Sequence, residues 1–242
     1  MEHESSRFSD IIRSSRRSVF FTGAGVSVAS GIPDFRSMGG LFDEISRQGH
    51  SPEYLLSRSH LVNEPESFVR FYRKRLMYLD KAPNIVHDFI AAEEKNGRSL
   101  GVITQNIDGL HTEAGSRNVD ELHGTINHFH CTVCHRQFAK QTIIEQDMTQ
   151  CDCGGVVRPD IVLYEEMLDE SVIRSAMDKL ERADTLIVMG TSLVVNPAAF
   201  LINYFNGNHF VIINKDETPF DRAADLTINQ DMTDVIAHIY NS

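Results

Sequence analysis

Five short runs of apolar, β-branched or aromatic residues set the tightest limit on the fold: Ser18–Thr22, Leu100–Thr104, Thr185–Met189, His209–Ile213 and Leu226–Ile228. Most are nearly continuous in apolar character rather than alternating, which is the pattern of strands buried on both faces of a parallel sheet. Helical periodicity separates them. Asn84–Glu94 places Ile85, Val86, Phe89 and Ile90 on one side, and Ser171–Ala183 places Val172, Ile173, Ala176, Leu180 and Ala183 at helical spacing. Strands alternating with helices predict an α/β fold with a doubly wound, mostly parallel sheet.

Two stretches break that rhythm. Residues 37–82 are helical and loop-rich, and residues 125–157 contain all four cysteines. Both are expected to be insertions that build a smaller lobe. The large lobe then comprises residues 1–36, 83–124 and 158–242, and the 242 residues read as one domain carrying insertions.

The cysteines read Cys131-x-x-Cys134, sixteen intervening residues, then Cys151-x-Cys153 followed by Gly154 and Gly155. Two close pairs in a reducing compartment favour a metal over disulfides. Four thiolates suit tetrahedral Zn²⁺, and the glycines permit a tight knuckle. No nearby polar cluster suggests an open coordination position, so a closed, structural zinc is expected.

Charge and hydropathy narrow the function classes. Lys and Arg number 23 against 34 Asp and Glu, a net charge of −11. Such a surface repels phosphate backbones and argues against nucleic-acid binding, whereas a lysine-bearing protein or peptide partner is compatible with it. No apolar run approaches the ~20 residues of a membrane span. The start, MEHESSRFSD, is acidic and polar, unlike a secretory signal. A cytoplasmic protein without a membrane partner is the expectation.

Polar or glycine-rich segments follow four of the strands: TGAGVS after the first, TQNIDGLH after the second, GTS after the third and NK after the fourth. In open parallel sheets ligands sit beyond the carboxyl ends of the strands, so these segments are expected to share one site. In GAGVSVASG, Gly23 and Gly25 allow a tight turn and close backbone approach, and Ser27 offers a donor to phosphate. The glycine fingerprint of dinucleotide sites is incomplete, because Val28 stands at its third position. Gln105, Asn106 and Asp108 crowd one loop, and His123 follows fifteen residues after Asp108. A neutral histidine at a strand edge can serve as a general base.

Together, GAGVSVASGIPDFRS (Gly23–Ser37), TQNIDGLH (Thr104–His111), His123–Gly124, the paired cysteines, GTSLVV with NPAA (Gly190–Ala199) and Ile213–Lys215 resemble the sirtuin family in content and order. The resemblance spans nearly the whole chain and is closest to compact bacterial-type sirtuins. It implies a Rossmann-like large lobe, a zinc-bearing small lobe and NAD-dependent protein-lysine deacylation, deacetylation foremost, that releases nicotinamide and O-acyl-ADP-ribose.

The resemblance also implies roles at matching positions. Gly23, Ala24, Gly25 and Ser27, with Val28 beside them, would hold the pyrophosphate of NAD. Phe35 would gate the nicotinamide, with Arg36 nearby. Ile32, Ile107 and Asp108 would line the nicotinamide pocket, and Gln105 and Asn106 would face the ribose. Thr191, Ser192, Asn214, Asp231 and Met232 would hold the adenosine half. His123 would be the base, with Asn106 the second catalytic residue. The acyl-lysine peptide would add as a strand between Val162–Glu166 (Val162, Leu163 and Tyr164 foremost) and Leu193–Val195, centred on Val194. Cys131, Cys134, Cys151 and Cys153 would hold the zinc.

Two departures and one rival bear on specificity. Glu165 occupies a position where the family usually has glycine. Tyr72 and Arg75 match the Tyr-x-x-Arg spacing of sirtuins that remove acidic acyl groups, although a solvated basic helix face explains the same letters. Protein mono-ADP-ribosylation through the same NAD site is the alternative function.

Overall fold

The computed structural model describes residues 2–35 and 40–240. Among these residues nine strands form two sheets. The strands are β1 (Ser18–Thr22), β2 (Ser99–Thr104), β3 (Val119–Glu121), β4 (Gly124–Cys131), β5 (Gln137–Ala139), β6 (Val157–Ile161), β7 (Thr185–Met189), β8 (His209–Ile213) and β9 (Leu226–Ile228). The larger sheet has the order β3-β2-β1-β7-β8-β9, and all its pairings are parallel. All five apolar runs lie in it. The edge strand β3 had no signal of its own, because VDE is short and polar.

The doubly wound layering follows from side-chain alternation. The helices are α1 (Glu2–Ser14), α2 (Leu41–Arg47), α3 (Pro52–Leu55), α4 (Arg58–Asn63), α5 (Pro65–Arg75), α6 (Ile85–Lys95), α7 (Leu110–Glu113), α8 (Lys140–Glu145), α9 (Glu170–Arg182) and α10 (Met232–Tyr240). Phe20, Val102, Ile187 and Val211 face one side and bury Phe8 of α1, Phe89 of α6 and Ile236 of α10. Their neighbours Val19, Phe21, Ile103, Leu186 and Ile212 face the other side, against Leu180 of α9 and the 3-10 turn Ala198–Tyr204. The two predicted helices start where their caps dictate. The Asn84 side chain accepts from the Val86 N–H at 2.9 Å, and Asp169 accepts from the Ser171 N–H at 2.7 Å.

The smaller sheet is antiparallel, with the order β5-β4-β6. β6 pairs with β4 as far as Ile161 opposite Gly124, so strand pairing extends the small sheet past the expected boundary at residue 158. This sheet shares one core with the helices of the first insertion. Phe68, Val69 and Tyr72 of α5 and Ile45 of α2 cluster with Ile126, Phe129, Cys131, Ile143 and Cys151.

Candidate active site

The large sheet turns back on itself between β1 and β7: the chain runs outward through β2 and β3 on one side and through β8 and β9 on the other. Such a switch point leaves a crevice at the carboxyl ends of the strands. Here that crevice opens into a cleft of about 860 Å³ bounded on its far side by the small lobe.

The glycine turn after β1 is shaped by its neighbour. The Gly23 N–H donates to the Met189 carbonyl at 3.1 Å, and the Gly25 N–H donates to the Gly190 carbonyl at 2.8 Å. A Cβ on Gly25 would lie 2.7 Å from the Gly190 Cα. The close approach that calls for glycine is therefore between two loops of the protein itself. A 3-10 turn, Ala24–Ser30, follows, and the Asn84 side chain anchors it by donating to the Val26 carbonyl at 2.8 Å.

Of the residues singled out from sequence, Ala24, Gly25, Val28, Phe35, Gln105, Asn106, Ile107, His123, Val162, Leu163, Tyr164, Thr191, Ser192, Asn214, Asp231 and Met232 line the cleft. Ile32, Ile107 and Asp108 come together with Ser27 and Phe35 around an adjoining pocket of about 30 Å³. Gly23 lies behind the cleft wall. Val194 is 52% exposed and does not line the cleft, whereas its neighbours Val195 and Asn196 do. Arg36 lies outside the described residues.

Ser27 is buried, and its hydroxyl donates to Asp108 Oδ2 at 2.7 Å. Its proton is thus committed to the carboxylate rather than offered to the main cleft. Asn106 Nδ2 donates to the Gly23 carbonyl and to Ser27 Oγ, both at 3.1 Å. Beneath this layer runs a polar chain that the sequence reading missed. His111 Nε2 lies 2.9 Å from Thr22 Oγ1, which donates to Thr104 Oγ1, and Thr104 Oγ1 accepts the Asn106 N–H. Because Thr22 spends its proton on Thr104, His111 is the donor and carries its hydrogen on Nε2. Burial depresses His111 to about 3 and its ring neighbour His87 to about 4, so both are neutral. Glu121, at the end of β3, is raised to about 7, chiefly by burial.

His123 sits at the cleft between β3 and β4. Its Nδ1 lies 2.9 Å from the Gln105 carbonyl, an oxygen that can only accept. The proton is therefore on Nδ1, and in the neutral ring Nε2 is the basic nitrogen. The Gln105 side chain accepts from Thr191 Oγ1 at 2.8 Å, which ties the loop after β2 to the loop after β7.

Opposite the glycine turn, the segment 162–166 forms the other wall. Val162 N–H donates to the His123 carbonyl at 2.8 Å, and Tyr164 N–H donates to the Leu56 carbonyl at 2.9 Å. Glu165 adopts φ +72°, in the left-handed region that costs an L-residue roughly 1–2 kcal/mol. Its carboxylate Oε2 accepts from the Ser59 N–H at 3.0 Å and from Ser59 Oγ at 2.7 Å, which holds the strained backbone in place. A left-handed φ is the reason glycine suits this position. Tyr72 is wholly buried in the small-lobe core, and Arg75 pairs with Glu44 at 2.7 Å beside the smaller pocket. Neither lines the main cleft, whereas Arg75 lines the adjoining smaller pocket.

The four cysteine sulfurs lie within 4.8 Å of one another, with Cys131–Cys153 at 3.4 Å and Cys134–Cys151 at 3.6 Å. Zn–S bonds of about 2.3 Å in a tetrahedron set sulfurs about 3.8 Å apart, so the cluster fits a Zn²⁺ ion. N–H groups of Cys134 and Val133 point at Cys131 Sγ and lower that thiol to about 6, which favours the thiolate a metal needs. A Cβ on Gly155 would fall 2.5 Å from Cys131 Sγ, which explains one of the two glycines.

Comparison with known proteins agrees with this geometry. The profile of the Sir2 family matches residues 23–197. The chain is 60% identical over 237 residues to an NAD-dependent protein deacetylase of Staphylococcus aureus (strain NCTC 8325 / PS 47), with 98% of each chain covered. It is 58% identical to one of Staphylococcus epidermidis (strain ATCC 12228 / FDA PCI 1200), covering 96% of this chain and 95% of that one. Two solved structures superpose closely. A Sir2–p53 peptide–NAD+ complex gives a TM-score of 0.86 at 37% identity, covering 97% of this chain and 96% of the other. A Sir2 complex with an inhibitor, 2'-O-acetyl-ADP-ribose and deacetylated p53 peptide gives 0.84 at 36% identity, covering 98% and 97%. With most of its length matched by the family profile and full-length relatives at 60% identity, this chain belongs to the Sir2 family.

Proposed function

We propose that this protein is an NAD-dependent protein-lysine deacylase, deacetylation foremost, that releases nicotinamide and O-acyl-ADP-ribose. The observation that carries the reading is His123: a histidine at the cleft with its Nδ1 proton fixed on the Gln105 carbonyl, between the glycine turn and the segment 162–164. The NAD-dependent deacetylases and the acetyl-ADP-ribose complex among its relatives support the same chemistry.

Bound NAD supplies an electrophilic sugar carbon that the acyl oxygen can attack. The protein's part is to bind, orient and move a proton. His123 Nε2 accepts a ribose hydroxyl proton, and the Gln105 carbonyl stabilises the imidazolium that results. Gln105 and Asn106 face the ribose, and Thr191, Ser192, Asn214, Asp231 and Met232 hold the adenosine half. Ile32, Phe35, Ile107 and Asp108 would hold the nicotinamide. The Ser27–Asp108 bond makes Ser27 a support for that carboxylate, while Ala24, Gly25 and Val28 line the cleft where the pyrophosphate would lie. The acyl-lysine peptide lies between the wall of Val162, Leu163 and Tyr164, whose N–H groups are bonded within the protein, and residues 193–195 on its other side. Cys131, Cys134, Cys151 and Cys153 would hold a structural zinc that would keep the small lobe packed. The cytoplasm is the proposed compartment; no described helix is long and apolar enough to cross a membrane.

Mass spectrometry of one reaction tests the proposal: protein, NAD and an acetyl-lysine peptide. Loss of the acetyl group with formation of O-acetyl-ADP-ribose is the expected result. An intact peptide with ADP-ribose accumulating on protein overturns it.

A further inference from the structure

Resting on the deacylase reading, a second property of the cleft concerns which peptides it prefers. Glu165 lines the cleft and is exposed, yet its carboxylate does not wander, because the Ser59 N–H and hydroxyl both bond to Oε2. The backbone on either side is equally fixed. Arg58 N–H donates to the Tyr164 carbonyl at 3.1 Å, and the Leu163 N–H donates to Glu166 Oε2 at 2.9 Å. Glu166 is neutralised by Arg158, with bonds at 2.5 and 3.0 Å. Glu165 has no ion-pair partner among the described residues, and its Oε1 remains for an incoming donor. Glu64 accepts from the Tyr54 hydroxyl at 2.8 Å, and that bond, with Glu165 close by, pushes the phenol's pKa up.

We propose that Glu165 is a specificity residue that selects acyl-lysine peptides carrying Lys or Arg on one flank. The Val162 N–H bonds the His123 carbonyl, so this part of the wall lies beside the base. Beyond it the wall turns: the Glu166 N–H donates to the Leu163 carbonyl at 3.0 Å, which sets Glu165 at the corner of a tight turn lining the cleft, three residues from Val162. The residue it reads flanks the acyl-lysine at the second or third position. A prefixed carboxylate loses little freedom on pairing, which is why a single exposed charge discriminates here.

The test uses the full-length protein and acetyl-lysine peptides that differ only at the second and third positions on either side, bearing Arg, Gln or Glu there. On one flank, kcat/KM for Arg over Gln is expected at about two- to fivefold, with Glu lower still. Glu165→Gln brings the Arg-to-Gln ratio close to one. In the unmodified protein the ratio shrinks as salt rises from about 0.05 to 0.5 M, because an exposed pair is screened. A ratio of one on both flanks, a ratio kept in Glu165→Gln or a ratio indifferent to salt overturns the proposal while leaving deacylation intact. No turnover of any peptide overturns the deacylase reading and this inference with it.

Discussion

The Ser27 hydroxyl donates to the Asp108 carboxylate at 2.7 Å, and this one bond joins the glycine turn after β1 to the loop after β2. Asn106 reaches the same serine at 3.1 Å, so three side chains from two loops hold one another at the smaller pocket. Replacing Asp108 by Asn removes the charged acceptor and is expected to lower nicotinamide release by about 10²-fold, the scale of a misplaced binding group. Ser27→Ala removes two hydrogen bonds, one to Asp108 and one from Asn106, of about 1 kcal/mol each, and should lower it by about ten- to thirtyfold. Equal losses in the two variants, measured by nicotinamide release, would show that the serine does more than support the carboxylate.

His123→Ala removes the proposed base. Turnover should drop by about 10²–10⁴-fold while calorimetric NAD affinity stays within a few-fold. Gln at the same position restores a side chain to the space but no base, and its activity should remain low.

Two buried groups of opposite sign shape stability against pH. Glu121 is raised from 4.5 to about 7, so between those values the native state holds a proton that the unfolded chain has lost. Rising pH therefore costs stability across that window, and the loss is complete above about 7. His111 is lowered from 6.5 to about 3, so below pH 6.5 the unfolded chain gains a proton that the native state refuses, and falling pH costs stability. Glu121→Gln should raise stability at pH 8 by roughly 2 kcal/mol and change little at pH 4. His111→Gln keeps a donor for Thr22 and should flatten the acid limb instead. Thermal melting from pH 4 to 8 reads both, and an unchanged alkaline limb in Glu121→Gln would refute the assignment.

Chelating the metal, or Cys131→Ser, should lower melting temperature and activity together. Cys131 is wholly buried, packs in the core that holds Phe129 and Tyr72, and is one of the four cysteines that would hold the metal. Losing one ligand of a structural site typically removes most of its contribution to folding. A metal-free protein with unchanged melting and turnover would show the site to be dispensable.

Periodicity in the chain reached the large sheet but not its edges. Apolar runs such as Phe20–Phe21 and Ile187–Val188 announce strands buried on both faces, and Asn84 and Asp169 cap the helices between them. β3 escaped because three residues of VDE carry no apolar period. β4 escaped because its sequence, GTINHFHC, mixes histidines with the cysteine that drew attention to metal chemistry instead. Within the site, residue types gave the neighbourhood but not the partners. Ser27 could be named a donor from sequence, yet its recipient lies 81 positions away. Gly25 could be named a close-approach glycine, yet what approaches is Gly190. Glu165 could be named a departure, yet its left-handed backbone and its hold on Ser59 depend on contacts between distant segments.

The common core of the two insertions sets a rule for recombining such chains. The rings of Tyr72 in the first insertion and Phe129 in the second meet at 6.1 Å in a tilted pair, and Arg73 donates to the Ile143 and Met148 carbonyls. Each piece covers its apolar face with the other's. A chimera that takes the cysteine module from one relative must take residues 41–76 from the same parent, or the graft will arrive with half of its interior missing.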